Sequence, residues 1–213
     1  MKTIKMLLML AAMAPIASMA QEEKSAAEYK NEGNAAVTEK KYDVALESYQ
    51  KAIELWDAES IEPATVYNAA DCAKKLSKND VAIELYNKSI ELGYKADMST
   101  YYIAEIYGKE GKTEERIALL EEAVQKYTEG KAAAFLKKGL VKEYNAKGMA
   151  PYKEGSTILN ERATAKPEQY KEIEGRAAAK FQEAKEWFNK TLTVDAENAN
   201  AQKILADIET KLK

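Results

Sequence analysis

Residues 33–55, GNAAVTEKKYDVALESYQKAIEL, read as two short helices joined by a tight turn. Gly33 and Ala36 form the small face of the first helix. Ala45, Tyr49 and Ala52 recur at i, i+4 and i+7 in the second, one stripe of a 3.6-residue period. Small residues at Gly33 and Ala45 let two backbones approach closely, and Tyr49 fills the space beside them. A single pair of this size buries too little apolar surface to stand alone. It needs a similar pair on either side.

The pattern recurs along the chain. Ala82 is followed by Tyr86 and Ser89, Arg116 by Leu120 and Ala123, and Ala184 by Phe188 and Thr191. The step from Ala45 to Ala82 is 37 residues, and that from Ala82 to Arg116 is 34. Local grammar agrees. Pro63 suits a first helical turn. Lys40-Lys41, Lys78-Asn79 and Gly111-Lys112 mark turns inside the pairs. Gly93 and Gly130 suit helix C-termini between them. The connection 56–62 is slightly long and accounts for the wider first step.

With small residues and aromatics at these intervals, the chain resembles the tetratricopeptide repeat, whose period is 34 residues. Gly33, Ala45, Tyr49 and Ala52 carry the match in 26–59. Ala70, Ala82 and Tyr86 carry it in 63–96. Ala104, Tyr107, Gly111 and Ala123 carry it in 97–130, with Arg116 standing where a small residue is expected. The fourth repeat, 132–196, matches through Gly139, Ala184 and Phe188. The resemblance implies an all-α fold, an α-solenoid of about four helix hairpins.

The fourth repeat is stretched. Gly33 to Ala45 is a step of 12, whereas Gly139 to Ala184 is a step of 45. The inserted stretch keeps helical period: Tyr170, Ile173, Ala177, Phe181, Ala184 and Phe188 step by three or four. Tyr152, Gly155, Leu159 and Ala163 form a weaker stripe upstream. Lys166-Pro167 separates the two, and Pro167 can start the returning helix. A flexible loop would rarely keep such a period. Both helices of this hairpin are therefore expected to gain about 16 residues. At 1.5 Å per residue they form an arm of about 24 Å over 148–180, with Gly148 and Pro151 kinking the outgoing helix. Residues 198–213 place Ala201, Ile204 or Leu205, Ile208 and Leu212 on one face, as a terminal capping helix would.

The first twenty residues differ from the rest. Lys2 and Lys5 precede an apolar run over 6–16, and Ser18 and Ala20 offer small residues at a cleavage site. The run is too short to span a bilayer. It reads as a signal peptide cleaved after Ala20, with the bacterial periplasm as the destination and no cysteine for a lipid anchor. Cleavage removes two lysines and no acid from 32 basic and 35 acidic residues, leaving a net charge of −5. That balance argues against a nucleic-acid partner. No second apolar run could cross a membrane.

Chemistry-bearing patterns are missing. The chain has no histidine and one cysteine, which removes the commonest general base, any Cys or Cys/His zinc site and any internal disulfide. Cys72 sits in an apolar helix, AADCAKKL, and reads as a buried structural thiol. There is no phosphate-binding glycine loop and no nucleophile elbow. Pairs such as Glu114-Glu115 and Glu121-Glu122 read as solvated helix charges. The expectation is a non-enzyme without cofactor or metal.

What the resemblance implies instead is a concave groove lined by the first helix of each repeat. Carried over, the lining comprises Lys30, Asn34 and Thr38; Tyr67, Asn68, Asp71 and Lys74; Met98, Tyr101, Glu105 and Lys109; and Leu140 and Tyr144. Tyr and Met suit peptide side chains, while Lys and Asn can fix polar termini. Some members clamp a peptide carboxylate, and Lys30, Asn34 and Asn68 match part of that clamp. Met98 and Tyr102 stand where its last two basic residues are expected. The leading expectation is an exported adaptor that binds a protein or peptide partner in the groove. Alternatives are self-assembly through the arm, giving a homo-oligomer, and binding of a small molecule or glycan by some of the 13 tyrosines.

Overall fold

The computed structural model describes residues 24–213 except Ala58. The expected signal segment lies outside the described residues. Among the described residues nine α-helices follow in order: α1 (Ala26–Thr38), α2 (Tyr42–Leu55), α3 (Pro63–Lys75), α4 (Asn79–Glu91), α5 (Ala96–Lys109), α6 (Thr113–Lys126), α7 (Ala133–Asn160), α8 (Tyr170–Val194) and α9 (Ala199–Lys211). No strand occurs among the described residues. Each helix packs on its sequence neighbours, so the hairpins α1–α2, α3–α4, α5–α6 and α7–α8 stack in chain order. No described helix is long and apolar enough to cross a membrane.

The three short hairpins close in the same way. Lys40, Ser77 and Gly111 occupy equivalent turn positions with φ of 60°, 57° and 72°. After each, a backbone N–H reaches back to the preceding helix: Lys41 to Ala36 O at 2.9 Å, Lys78 to Ala73 O at 2.9 Å and Lys112 to Tyr107 O at 3.0 Å. These bonds satisfy carbonyls that the helix end leaves free. Lys40 and Ser77 hold this conformation without being glycine, and both side chains are exposed.

In the first and fourth hairpins a ring fits against a glycine. The Tyr49 ring lies so close to Gly33 that a Cβ there would stand 2.5–3.0 Å from it. Tyr49, Tyr86, Leu120 and Phe188 are the matching large residues, all essentially buried. In the fourth hairpin the partner of Phe188 is Gly148, where a Cβ would fall 2.9 Å from the ring. Gly139, expected in that place, instead lies against Leu120 of α6. Two turns further along, Gly155 repeats the device against Phe181, at 3.0 Å. The contact thus appears twice in the long hairpin, and its register differs from the simple repeat alignment.

The arm is a true helical hairpin. Ile173, Ala177, Phe181, Ala184 and Phe188 are all buried, joined by Ile158 and by Ala201, Ile204 and Ile208 of α9. The return is longer than expected, with two short 3-10 turns, Glu161–Ala163 and Pro167–Gln169. Pro167 starts the second of these, and α8 begins only at Tyr170. At 28 and 25 residues against 13 or 14 in the short hairpins, each long helix gains somewhat less than 16 residues. α7 continues unbroken through Gly148 and Pro151, both buried. α9 is capped by the Asn198 side chain and touches α7 through Tyr152, whose hydroxyl donates to Asp207 at 2.6 Å. The apolar stripe is consumed by these contacts. The exposed large apolar residues among those described are Val44, Leu55, Phe135 and Leu212, none of them on the arm.

Arg116 breaks the small-residue rule and is accommodated by its neighbours. It is 8% exposed, and its guanidinium bonds Glu143 of α7 at 2.8 Å and Glu105 of α5 at 3.1 Å. Gly108 leaves the room it needs, since a Cβ there would collide with the guanidinium. A buried Arg116–Glu143 pair, with the partly exposed Glu105 beside it, thus fastens α5, α6 and α7 together.

Two sets of variants test this packing. Gly33→Ala is expected to destabilise by about 1–3 kcal/mol through overpacking, despite the better helix propensity of Ala. Gly175→Ala, mid-helix with no atom within 4 Å of a new Cβ, is expected to stabilise by about 0.5–1 kcal/mol. Urea unfolding reads both, and equal signs would contradict the packing described. Glu143→Ala leaves a buried cation short of its main partner and is expected to cost about 3–5 kcal/mol. The double variant Arg116→Met/Glu143→Met is expected to recover most of that loss.

Candidate functional site

The face formed by α1, α3 and α5 carries most of the groove residues expected from the sequence. Its N-terminal part centres on a buried hydroxyl. Tyr49 Oη donates to Asn34 Oδ1 at 2.7 Å, and Asn68 faces the same oxygen. Above it opens a small hollow of about 170 Å³, rimmed by Asn34, Asn68, Asp71 and Lys75 and floored by Tyr49 and Cys72. Its rim mixes amides, a carboxylate and an ammonium, so it can both donate to and accept from a peptide backbone. Lys30, at the edge, pairs with Glu62 at 3.1 Å. The Thr38 hydroxyl is turned inward to Asn34 O at 3.1 Å.

The central part is aromatic. Tyr86 Oη donates to Asp71 at 2.5 Å. Lys74 Nζ lies 3.5 Å from the same carboxylate and 3.1 Å above the centroid of Tyr102. Burial holds the Lys74 ammonium below its usual pKa, with Asp71 opposing the shift. Tyr102 leads on to Tyr101 at 5.3 Å between ring centroids, and Tyr101 to Phe135 at 5.4 Å. Phe135, at the start of α7, is 52% exposed. Met98 is half-buried beside Tyr101, and Lys109 is exposed.

The other expected residues are occupied elsewhere. Tyr67 is buried, edge-on to Tyr86 and Tyr94. Glu105 is tied to Arg116. Leu140 and Tyr144 are buried in the core around α6 and α7 and edge a separate hollow with Lys190 and Val194, and Tyr144 Oη donates to Glu121 at 2.6 Å. Phe135 is the addition the structure makes, and Tyr102, noted in the sequence only where a clamp residue is expected, joins it in an aromatic row. Both are aromatic, which is the signal that could have found them.

Cys72 is buried, and burial pushes its thiol up to about 11. A thiol at that value is not a nucleophile at neutral pH. Burial likewise pushes the phenol of Tyr49 up to about 12, and those of Tyr67, Tyr86 and Tyr144 also move up.

No sequence-family model and no curated protein sequence matches the chain. Solved structures do. A TPR repeats protein from Bacteroides fragilis shares 20% identity over 88% of this chain and 99% of its own, with a TM-score of 0.57. A tetratricopeptide repeat protein from Parabacteroides merdae shares 15% over 89% of this chain and 74% of its own, at 0.51. A protein from Bacteroides ovatus shares 17% over 89% of this chain and all of its own, also at 0.51.

The buried phenols set an alkaline limit. Tyr49 ionises at its ordinary 10.0 when unfolded and at about 12 when folded. Its neutral form therefore supports the fold fully below pH 10, and that support is lost as pH rises towards 12. Denaturant unfolding across alkaline pH is expected to show stability falling from about pH 10, with a shallower fall in Tyr49→Phe. The stacked hairpins and the three structural likenesses give one conclusion: the chain has the fold of the tetratricopeptide-repeat proteins.

Proposed function

We propose that the protein is an exported adaptor. Its segment 1–20 directs export and is removed after Ala20, and the mature chain holds a peptide or protein segment along the face of α1, α3 and α5. The observation that carries this reading is the row Tyr102–Tyr101–Phe135 beside the amide-lined hollow. Phe135 keeps half its surface in water, and the partly buried Tyr101 and Tyr102 lead up to it. Aromatic anchors next to convergent polar groups are the usual equipment of a peptide site. The hollow fixes backbone polar groups, and the aromatic row takes apolar side chains. The face is held by stacked hairpins, so little ordering is lost on binding. The same surface gives no support to catalysis: the chain has no histidine, and its thiol is buried.

The experiment is a pull-down from envelope extract with mature chain, repeated with groove variants. Phe135→Ala and Asn68→Asp are expected to keep the melting temperature. Phe135→Ala is expected to weaken capture about tenfold or more, the scale of an aromatic anchor. N-terminal sequencing of the exported chain is expected to start at Gln21. Partners indifferent to both variants would remove the groove from the proposal, and a chain retained in the cytoplasm would remove the export step.

A further inference from the structure

The fourth hairpin ends unevenly. Gly148 against Phe188 and Gly155 against Phe181 fix the register of α7 on α8. In that register Val194, the last residue of α8, lies level with Lys142. Residues 133–141 of α7 therefore extend past the end of their partner. The first hairpin has no such overhang: Gly33 against Tyr49 brings Ala26 level with Trp56, just past the end of α2. One side of the overhang is covered, because Leu136 and Gly139 pack on α6. The other side is open and forms a hollow of about 680 Å³ under the α8–α9 turn. Ala134, Val141 and Val194 give it an apolar bed, and Lys137, Lys138 and Lys142 stand around it.

These lysines stand close together on one turn-and-a-half of α7. Among the described residues none of the three makes an ion pair. The only carboxylate in the lining is Asp195, which accepts from Asn198 at 2.9 Å. Three lysines against this one amide-bonded carboxylate give the notch a positive balance on a net-acidic chain, and that balance selects an acidic partner. The adjacent surface shows how such a partner would sit. There α9 lies on the same hairpin, burying Ala201, Ile204 and Ile208. Its acids meet polar groups of α7 and α8, Asp207 at Tyr152 and Glu209 at Lys185.

We propose that this notch docks an acidic peptide segment with aliphatic side chains. Its apolar face would lie on Ala134, Val141 and Val194, and its carboxylates would meet Lys137, Lys138 and Lys142. This surface is separate from the hollow around Asn34 and Asn68, so it stands whether or not the groove binds a partner.

The test uses isotope-labelled mature chain and a synthetic peptide with leucines at helical spacing and glutamates between them. Amide shifts are expected around Ala134, Val141 and Val194, and affinity is expected to fall with added salt. The triple variant K137E/K138E/K142E is expected to bind about tenfold more weakly with an unchanged melting temperature. The equivalent reversal at Lys153, Lys171 and Lys203 and the groove variant Asn68→Asp are expected to bind as the native chain does. A lysine-for-glutamate peptide is expected not to bind. Shifts centred on another surface, equal loss in the control reversal, or equal binding of the lysine peptide would overturn the proposal. So would sedimentation showing that a second copy of the chain fills the notch. The shift map on unaltered chain decides the matter even if the triple variant fails to fold.

Discussion

The structure depends on how closely two helices of a hairpin can approach. Gly33 beneath Tyr49 shows the limit: the ring occupies space that any Cβ would need. Close approach buries the ring completely, and burial of an aromatic side chain is among the largest single contributions a small hairpin can obtain. The hydroxyl then emerges at the opposite side and donates to Asn34. The same residue thereby locks the hairpin and supplies the floor of the candidate groove. Tyr86 repeats this in the second hairpin, with Asp71 as its acceptor. Packing and surface chemistry are coupled through these two side chains, so a change at Asn34 or Asp71 also reaches the core.

The third hairpin shows what happens when the small residue is lost. Arg116 brings a guanidinium into space that a methyl group would fill. The chain answers with Gly108, which removes a side chain, and with Glu105 and Glu143, which supply compensating charge. A buried cation without such partners would be strongly unfavourable. Arg116 anchors three helices at once. Phe135 stands next to Tyr101, and Leu140 and Tyr144 lie in the core.

This explains which parts were legible in the sequence. The hairpins, their turns and the arm were readable because they rest on local periodicity: the buried series from Ile173 to Phe188 is spaced as a helix face must be. Register in the long hairpin was not readable. Gly139, Gly148 and Gly155 are all suitable partners for a ring, and only the three-dimensional return of α8 selects Gly148 and Gly155. Asn34, Asn68 and Asp71 follow the first-helix period within regular hairpins, and the structure brings them around one hollow, as that period implies. Glu105 is drawn to Arg116, an ion partner that periodicity does not reveal.

Register also decides where the repeat array stops being self-sufficient. A solenoid exposes apolar surface at each end, and α9 covers the last hairpin only along the stretch that α8 itself occupies. Because Phe188 is held by Gly148 rather than by Gly139, α8 ends short of the base of α7. A hairpin aligned through Gly139 would carry Phe188 nine residues nearer the base of α7, and α8 would cover it. The notch, its lysines and the buried arm are therefore consequences of one choice of glycine, made by the fit of a ring against a backbone.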